Sequence, residues 1–205
     1  TTKWTLNKFE DRRIRGGHPW VFSNELSKSP KGHPPGEPVE LRTHQGDFLA
    51  YGYGNPQSLI SFRAMGFDID KDEKWYEPQN MVAKLLKSWT LRHQLGVRFS
   101  QRICFGEVDG MPGLVVDLYV LNSNSGPAQS FSVQILTAGM SWALKDLEGF
   151  FKSLCDQGNQ LGLTKIEWQR TALILRNDVQ VRKLEGLEFE EPRVVKSIDG
   201  EDLSQ

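Results

Sequence analysis

Cysteine is scarce in this chain, which has only Cys104 and Cys155 among its 205 residues. Two thiols so far apart make neither a disulfide framework nor a CxxC zinc half-site. Both are expected to be buried small hydrophobes. The four histidines are isolated, without HExxH or other ligand spacing, so no metal site is expected. No Gly-x-Ser-x-Gly nucleophile elbow occurs. Long apolar runs are missing too. The longest, Met111 to Leu121, is broken by Asp117 and falls short of the roughly 18 residues of a membrane helix. The first twenty residues carry five basic side chains and no apolar core, which excludes a secretory signal there. The 19 Gly and 10 Pro follow no period, which excludes collagen-like and low-complexity classes. The expectation is a cytoplasmic globular chain with no membrane association.

Net charge is also nearly absent, at −1, but its distribution is uneven. Residues 1–63 hold nine Lys/Arg against six Asp/Glu, net +3, leaving sixteen against twenty, net −4, for the rest. Lys3, Lys8, Arg12, Arg13 and Arg15 crowd the first fifteen positions. A polyanion is therefore expected to meet the N-terminal part first.

Periodicity divides the chain. Pro19–Phe22, Pro38–Leu41, Asp47–Gly54 and Leu59–Arg63 are short apolar runs separated by Gly, Pro and polar turns, which predicts a small β-barrel over residues 1–70. After the charged stretch Asp68–Glu73 the period changes. Met81, Val82, Leu85, Leu86, Trp89 and His93 predict an amphipathic helix ending at Gly96. Strands are expected at Arg102–Gly106, Gly113–Tyr119 and Ser130–Leu136, with a polar loop over Asn122–Gln129. A second helix follows through Met140, Leu144, Leu147, Phe151 and Leu154, then strands at Lys165–Trp168 and Ala172–Arg176, and a short polar helix from Asn177. Residues 76–205 thus read as α+β rather than a doubly wound sheet.

Three segments carry chemistry. In Arg12-Arg13-Ile14-Arg15-Gly16-Gly17-His18-Pro19-Trp20-Val21-Phe22, clustered guanidiniums can contact phosphates bidentately and a glycine pair lets backbone approach a ligand. A charged surface turn leading into a core tryptophan is the competing explanation. Arg12, Arg13, Arg15 and His18 are the candidate RNA contacts, and Trp20 is expected in the core. The second segment, Gly106-Glu107-Val108-Asp109-Gly110-Met111-Pro112-Gly113, leads into a strand, not a helix, so it fits a tight turn rather than a phosphate loop. In the third, Asp178–Arg182 and Arg182–Glu185 have the spacing of a helical ion ladder. The other use of this segment is for Arg176 and Arg182 to line a route to a further domain.

These segments also bear a resemblance. Leu6–Leu26, with Gly17-His18-Pro19-Trp20-Val21-Phe22 intact, resembles the opening of the PUA domain in RlmI-type large-subunit ribosomal RNA (cytosine-5) methyltransferases, although Glu10-Asp11-Arg12 replaces the family's Gly-Arg-Glu. The likeness continues through Phe105–Asp117 and Arg176–Leu187. It implies a PUA-like barrel (1–70) followed by the family's α+β middle domain (76–205), an RNA partner, large-subunit rRNA in particular, and S-adenosylmethionine as cofactor of the complete enzyme. The family's Asp-Pro-Pro motif and catalytic cysteine have no counterpart here, so the resemblance implies a piece or truncated relative with no catalytic residue and no bound cofactor. An assembly module without RNA affinity, with a homodimer as its simplest form, is the alternative.

Overall fold

Residues 1–123 and 125–200 are described in the computed structural model of the chain. Their strands sort into two five-stranded sheets in an α+β arrangement. The first sheet contains β1 (Thr2–Thr5), β2 (Trp20–Phe22), β3 (Pro38–Arg42), β4 (Phe48–Gly54) and β5 (Ile60–Gly66), in the order β1-β3-β4-β5-β2. The four runs expected to be strands are β2 to β5. Between β1 and β2 lies a single helical turn, α1 (Arg12–Arg15), pinned by buried Ile14. Beyond the ends of β1 and β2 the two edges of the sheet meet. Leu6 and Leu26 form an antiparallel bridge, the Asn7 N–H donates to the Glu25 carbonyl at 2.8 Å, and the Ser27 N–H donates to the Thr5 carbonyl at 2.8 Å. This pairing gives partners to backbone groups that a free edge would leave exposed, and it curls the sheet around its own core of Leu6, Ile14, Val21, Val39, Leu41 and Phe62. Gly52 lets β4 approach β5 closely, since a Cβ there would sit 2.0 Å from the Arg63 carbonyl oxygen.

The second sheet contains β6 (Gln101–Phe105), β7 (Leu114–Ser123), β8 (Gly126–Ile135), β9 (Thr171–Leu175) and β10 (Arg193–Lys196), in the order β10-β9-β8-β7-β6. Helix α2 (Pro78–Gln94) covers one face together with α3 (Ala138–Ala143) and α4 (Leu147–Gln160), which form the crossover between the parallel strands β8 and β9. Gly158 brings α4 against α2, where a Cβ would lie 2.6 Å from the Trp89 ring. The core under these helices also takes in Tyr51, Tyr53 and Met65 from the first sheet.

Several expectations need correction. The segment expected as a polar loop, Asn122–Gln129, lies mostly within a hairpin. Leu121 pairs with Ala128, Asn122 with Pro127 and Ser123 with Gly126, so an exposed polar side chain such as Asn122 rides on a continuing ladder. Residue 124 at its tip lies outside the described residues. The helix through Met140 and Leu154 is two helices. The chain leaves helical geometry at Leu144, and Asp146 restarts it by accepting the Gly149 N–H at 2.9 Å. Lys165–Trp168 is not a strand. The Ile166 carbonyl is occupied by the side-chain amides of Asn159 (2.9 Å) and Gln129 (3.4 Å) instead of a ladder partner. The helix expected from Asn177 is a 3-10 turn, Gln180–Glu185, because the Asn177 side chain is buried and accepts the Ile135 N–H at 2.9 Å instead of capping. Strands β1 and β10 were not anticipated. Expectations for residues 201–205 lie outside the described residues.

Candidate functional site

The four predicted contact residues stand on one short surface segment. Arg13 Nη1 reaches Glu25 at 3.2 Å, and Arg13 Nη2 lies 3.1 Å from the His18 ring. Glu25 is itself fixed by accepting the Phe22 N–H at 2.6 Å. Arg15 Nε donates to Asp11 at 2.6 Å, a bond that holds the Asp11 carboxyl below its ordinary range. Arg12 is exposed and has no side-chain partner among the described residues. The helical turn therefore presents Arg12 as a free guanidinium, with Arg13 and His18 as a mutually oriented pair. Gly17, at φ 85°, has open space where a side chain would stand. Beside it lies a shallow cavity of about 330 Å³ bounded by Arg15, Phe48 and Phe67.

A second constellation was not foreseen, and it joins all three chemistry-bearing segments. Trp20 is half-buried, not core. Its indole N–H donates to Glu107 Oε1 at 2.8 Å, and the Arg63 guanidinium lies 5.5 Å from its ring centroid. Arg63 bonds the same Glu107 oxygen at 3.3 Å and reaches Glu185 Oε1 at 2.7 Å. Ser58 and Asn55 complete the shell around Glu185 at 2.7 and 3.0 Å. Beneath it Tyr53 of β4 ties the first sheet to the start of α3 by donating to Thr137 at 2.9 Å. Burial pushes its phenol far above the ordinary range, so it remains a neutral donor.

This network overturns the expected ion ladder. Asp178 pairs with Arg176 at 3.0 Å, Arg182 turns to Glu190 at 2.6 Å, and Glu185 turns the other way toward Arg63. Asp178 stands in extended chain ahead of the 3-10 turn, while the Glu188 carbonyl and Glu190 draw Arg182 away and Arg63 takes Glu185. The residues sequence reasoning missed are Arg63, Glu107 and Glu185. Their only signal was that Glu107 and Glu185 lie in segments already singled out.

Between the first sheet and the Gln180–Glu185 turn the network floors a cavity of about 690 Å³, walled by Trp20, Phe22, Leu59 and Leu184. Asp109, two residues from Glu107, faces elsewhere and ties the β6–β7 turn to α2 through Arg92 at 2.8 Å and Ser88 at 2.7 Å. Both cysteines are buried. Desolvation pushes the Cys104 thiol up to about 12 and raises Cys155, so neither is a ready thiolate. No group of three His, Cys, Asp or Glu side chains among the described residues is placed to hold a metal, and no helix among them is long and apolar enough to cross a membrane.

A family model described as a PUA-like domain matches residues 5–67. Ribosomal RNA large subunit methyltransferase I of Klebsiella pneumoniae (strain 342) is 29% identical over 192 residues, which cover 93% of this chain and 42% of that protein. The protein of the same name from Aliivibrio fischeri (strain MJ11) is 33% identical over 189 residues, 89% of this chain and 41% of its own length. Over most of its length the chain is similar to the ribosomal RNA large subunit methyltransferase I proteins. It spans less than half the length of the curated relatives it matches. A structure from Streptococcus mutans assigned as a SAM-dependent methyltransferase superposes with a TM-score of 0.65 at 10% identity, covering 98% of this chain and 44% of that one. Another, assigned as a methyltransferase and complexed with SAH, gives 0.60 at 10% identity over 86% of this chain and 40% of its own. At that identity the structural likeness shows the fold. The three segments that carry the resemblance are the ones that meet around Arg63.

Proposed function

We propose that this chain is the RNA-binding and substrate-positioning portion of an S-adenosylmethionine-dependent ribosomal RNA methyltransferase, with large-subunit rRNA as its partner. Residues 1–70 act as the PUA-like RNA-binding unit and 76–205 as the middle unit. The observation that carries this is the exposed, unpaired Arg12 beside the Arg13–His18 pair on a PUA-like domain. Such a surface gives guanidinium donors for phosphate oxygens, and the neighbouring Phe48 and Phe67 offer aromatic surface for a splayed base.

The Gly106–Gly113 turn does not have the form of a cofactor loop. It runs from β6 into β7, so no helix N-terminus lies at its end to meet a cofactor. Both thiols are buried and protonated, which leaves no nucleophile for a cytosine ring. On this reading the chain contributes binding and placement.

A second reading, a protein assembly module, draws on Leu91 and Val108, which are 55% and 80% exposed and line a common cavity of about 610 Å³. Titrating a large-subunit rRNA fragment against the chain at several salt concentrations separates the two. Salt-dependent binding supports the RNA reading, and self-association without RNA affinity supports the assembly module.

A further inference from the structure

We propose that the cavity above Arg63 holds one unstacked nucleobase, recognised by an exocyclic amino group that donates to Glu107. This rests on the RNA-binding reading and assigns a base-reading role to the cavity that Trp20 and Phe22, at the end of the arginine segment, wall on one side. At about 690 Å³ the cavity is within the range of small-ligand sites. Trp20 and Phe22 supply aromatic wall, and Leu59 and Leu184 supply apolar lip, 82% and 71% exposed.

The specificity lies in one atom. Glu107 Oε1 accepts from both Trp20 and Arg63, which fixes the carboxylate. Its Oε2 has no protein donor among the described residues, and the side chain is 31% exposed. A carboxylate only accepts, so the open oxygen calls for a donor from the ligand. An anionic group does not fit on the floor, because Arg63 is already shared between Glu107 and Glu185, leaving the floor with one excess negative charge. A neutral planar ring bearing an amino group does fit. Cytosine N4 and adenine N6 are such donors, and glutamate accepting from cytosine N4 is an established pairing in nucleic-acid recognition. Uracil places a carbonyl oxygen at that position and would face the carboxylate unfavourably. Lys183, exposed at the rim without a carboxylate partner among the described residues, stands ready for the backbone phosphate of the captured nucleotide.

Fluorescence anisotropy with labelled rC8 and rU8 tests this on the full 205-residue chain. The parent should bind rC8 about tenfold more tightly, the scale of one hydrogen bond to a charged group. Glu107→Gln keeps an acceptor for Trp20 and Arg63 but turns an amide N–H toward the cavity. It should erase or reverse the preference, bringing rU8 at least level with rC8. Leu184→Glu, at the exposed lip, should lower rC8 affinity to the rU8 level with an unchanged thermal midpoint, and it decides the matter if Glu107→Gln does not fold. Equal parental affinities, or a cytosine preference that survives the variants, overturns the proposal. A cavity that takes a protein surface instead of a base would give the first of these outcomes. Salt-dependent binding of both oligonucleotides without preference leaves the RNA reading standing and removes only the base site. If neither oligonucleotide nor an rRNA fragment binds at low salt, the RNA reading itself fails.

Discussion

Arg63 and Glu185, 122 residues apart in sequence, form a buried ion pair at 2.7 Å. The pair fastens β5 of the first sheet to the 3-10 turn between β9 and β10 of the second. Removing one member leaves the other charge buried without its partner, which costs about 3 to 5 kcal/mol. Arg63→Ala should lower the denaturant midpoint accordingly, and Arg63→Lys, which cannot span Glu107 and Glu185 together, should recover only part of the loss. A midpoint unchanged in Arg63→Ala would mean that the two sheets are held together by other contacts.

The α4 stripe should be graded by burial. Leu154 is fully buried, whereas Leu147 at the start of the helix is only partly so. Leu154→Ala should cost about 2 to 5 kcal/mol and Leu147→Ala clearly less. Equal losses in chemical denaturation would contradict the break between α3 and α4, which moves Leu147 to a helix end.

Asp109 should make stability acid-sensitive. Burial works to raise its pKa, but donors from Arg92, Ser88 and the Phe105 N–H outweigh burial and hold the carboxyl below its ordinary value. A depressed folded pKa gives stability that is fully present above the unfolded value, near 3.9, and is lost as pH falls through the folded one. Urea midpoints taken between pH 6 and 3 should therefore fall less in Asp109→Asn than in the parent. Parallel pH profiles would show that the Asp109 interactions do not contribute to folding.

Cys104 and Cys155 should resist modification. With burial raising both thiols, a thiol-specific disulfide reagent at pH 8 should react with neither in the folded chain and with both after denaturation. Rapid labelling of the native chain would place one of them at the surface.

Short apolar runs bounded by turn residues were enough to find β2 to β5, and a three-to-four-residue period was enough to find α2. Elements governed by a single side chain were not legible. Asp146 splits a helix by capping, and Asn177 abandons a cap to serve the end of a sheet. Asn159 and Gln129 occupy the carbonyl that a strand at Lys165–Trp168 would need. Three of the four arginine-segment residues were visible as a charge cluster, and His18 as part of a motif. The Arg63 network was not visible, since its members are brought together only when β5, the β6–β7 turn and residues 180–185 fold onto one another. Trp20 could be recognised as important but not as half-exposed, because its fate depends on Glu107, 87 positions away.

The central claim, that the N-terminal arginines hold RNA, is tested most directly by comparing two charge-matched triple variants. One is Arg12→Ala/Arg13→Ala/Arg15→Ala and the other Lys87→Ala/Lys145→Ala/Lys165→Ala, both titrated with the same large-subunit rRNA fragment over a range of salt. If the three arginines neutralise phosphates, the first variant should bind more weakly across many sequences. Its plot of log affinity against log salt should be shallower by roughly 0.7 to 0.9 for each phosphate that is no longer neutralised. The lysine variant should keep the parental slope and both should keep the parental melting temperature. An arginine variant that binds as tightly as the parent, with the same salt dependence, would contradict the account and leave the segment a solvated charged face.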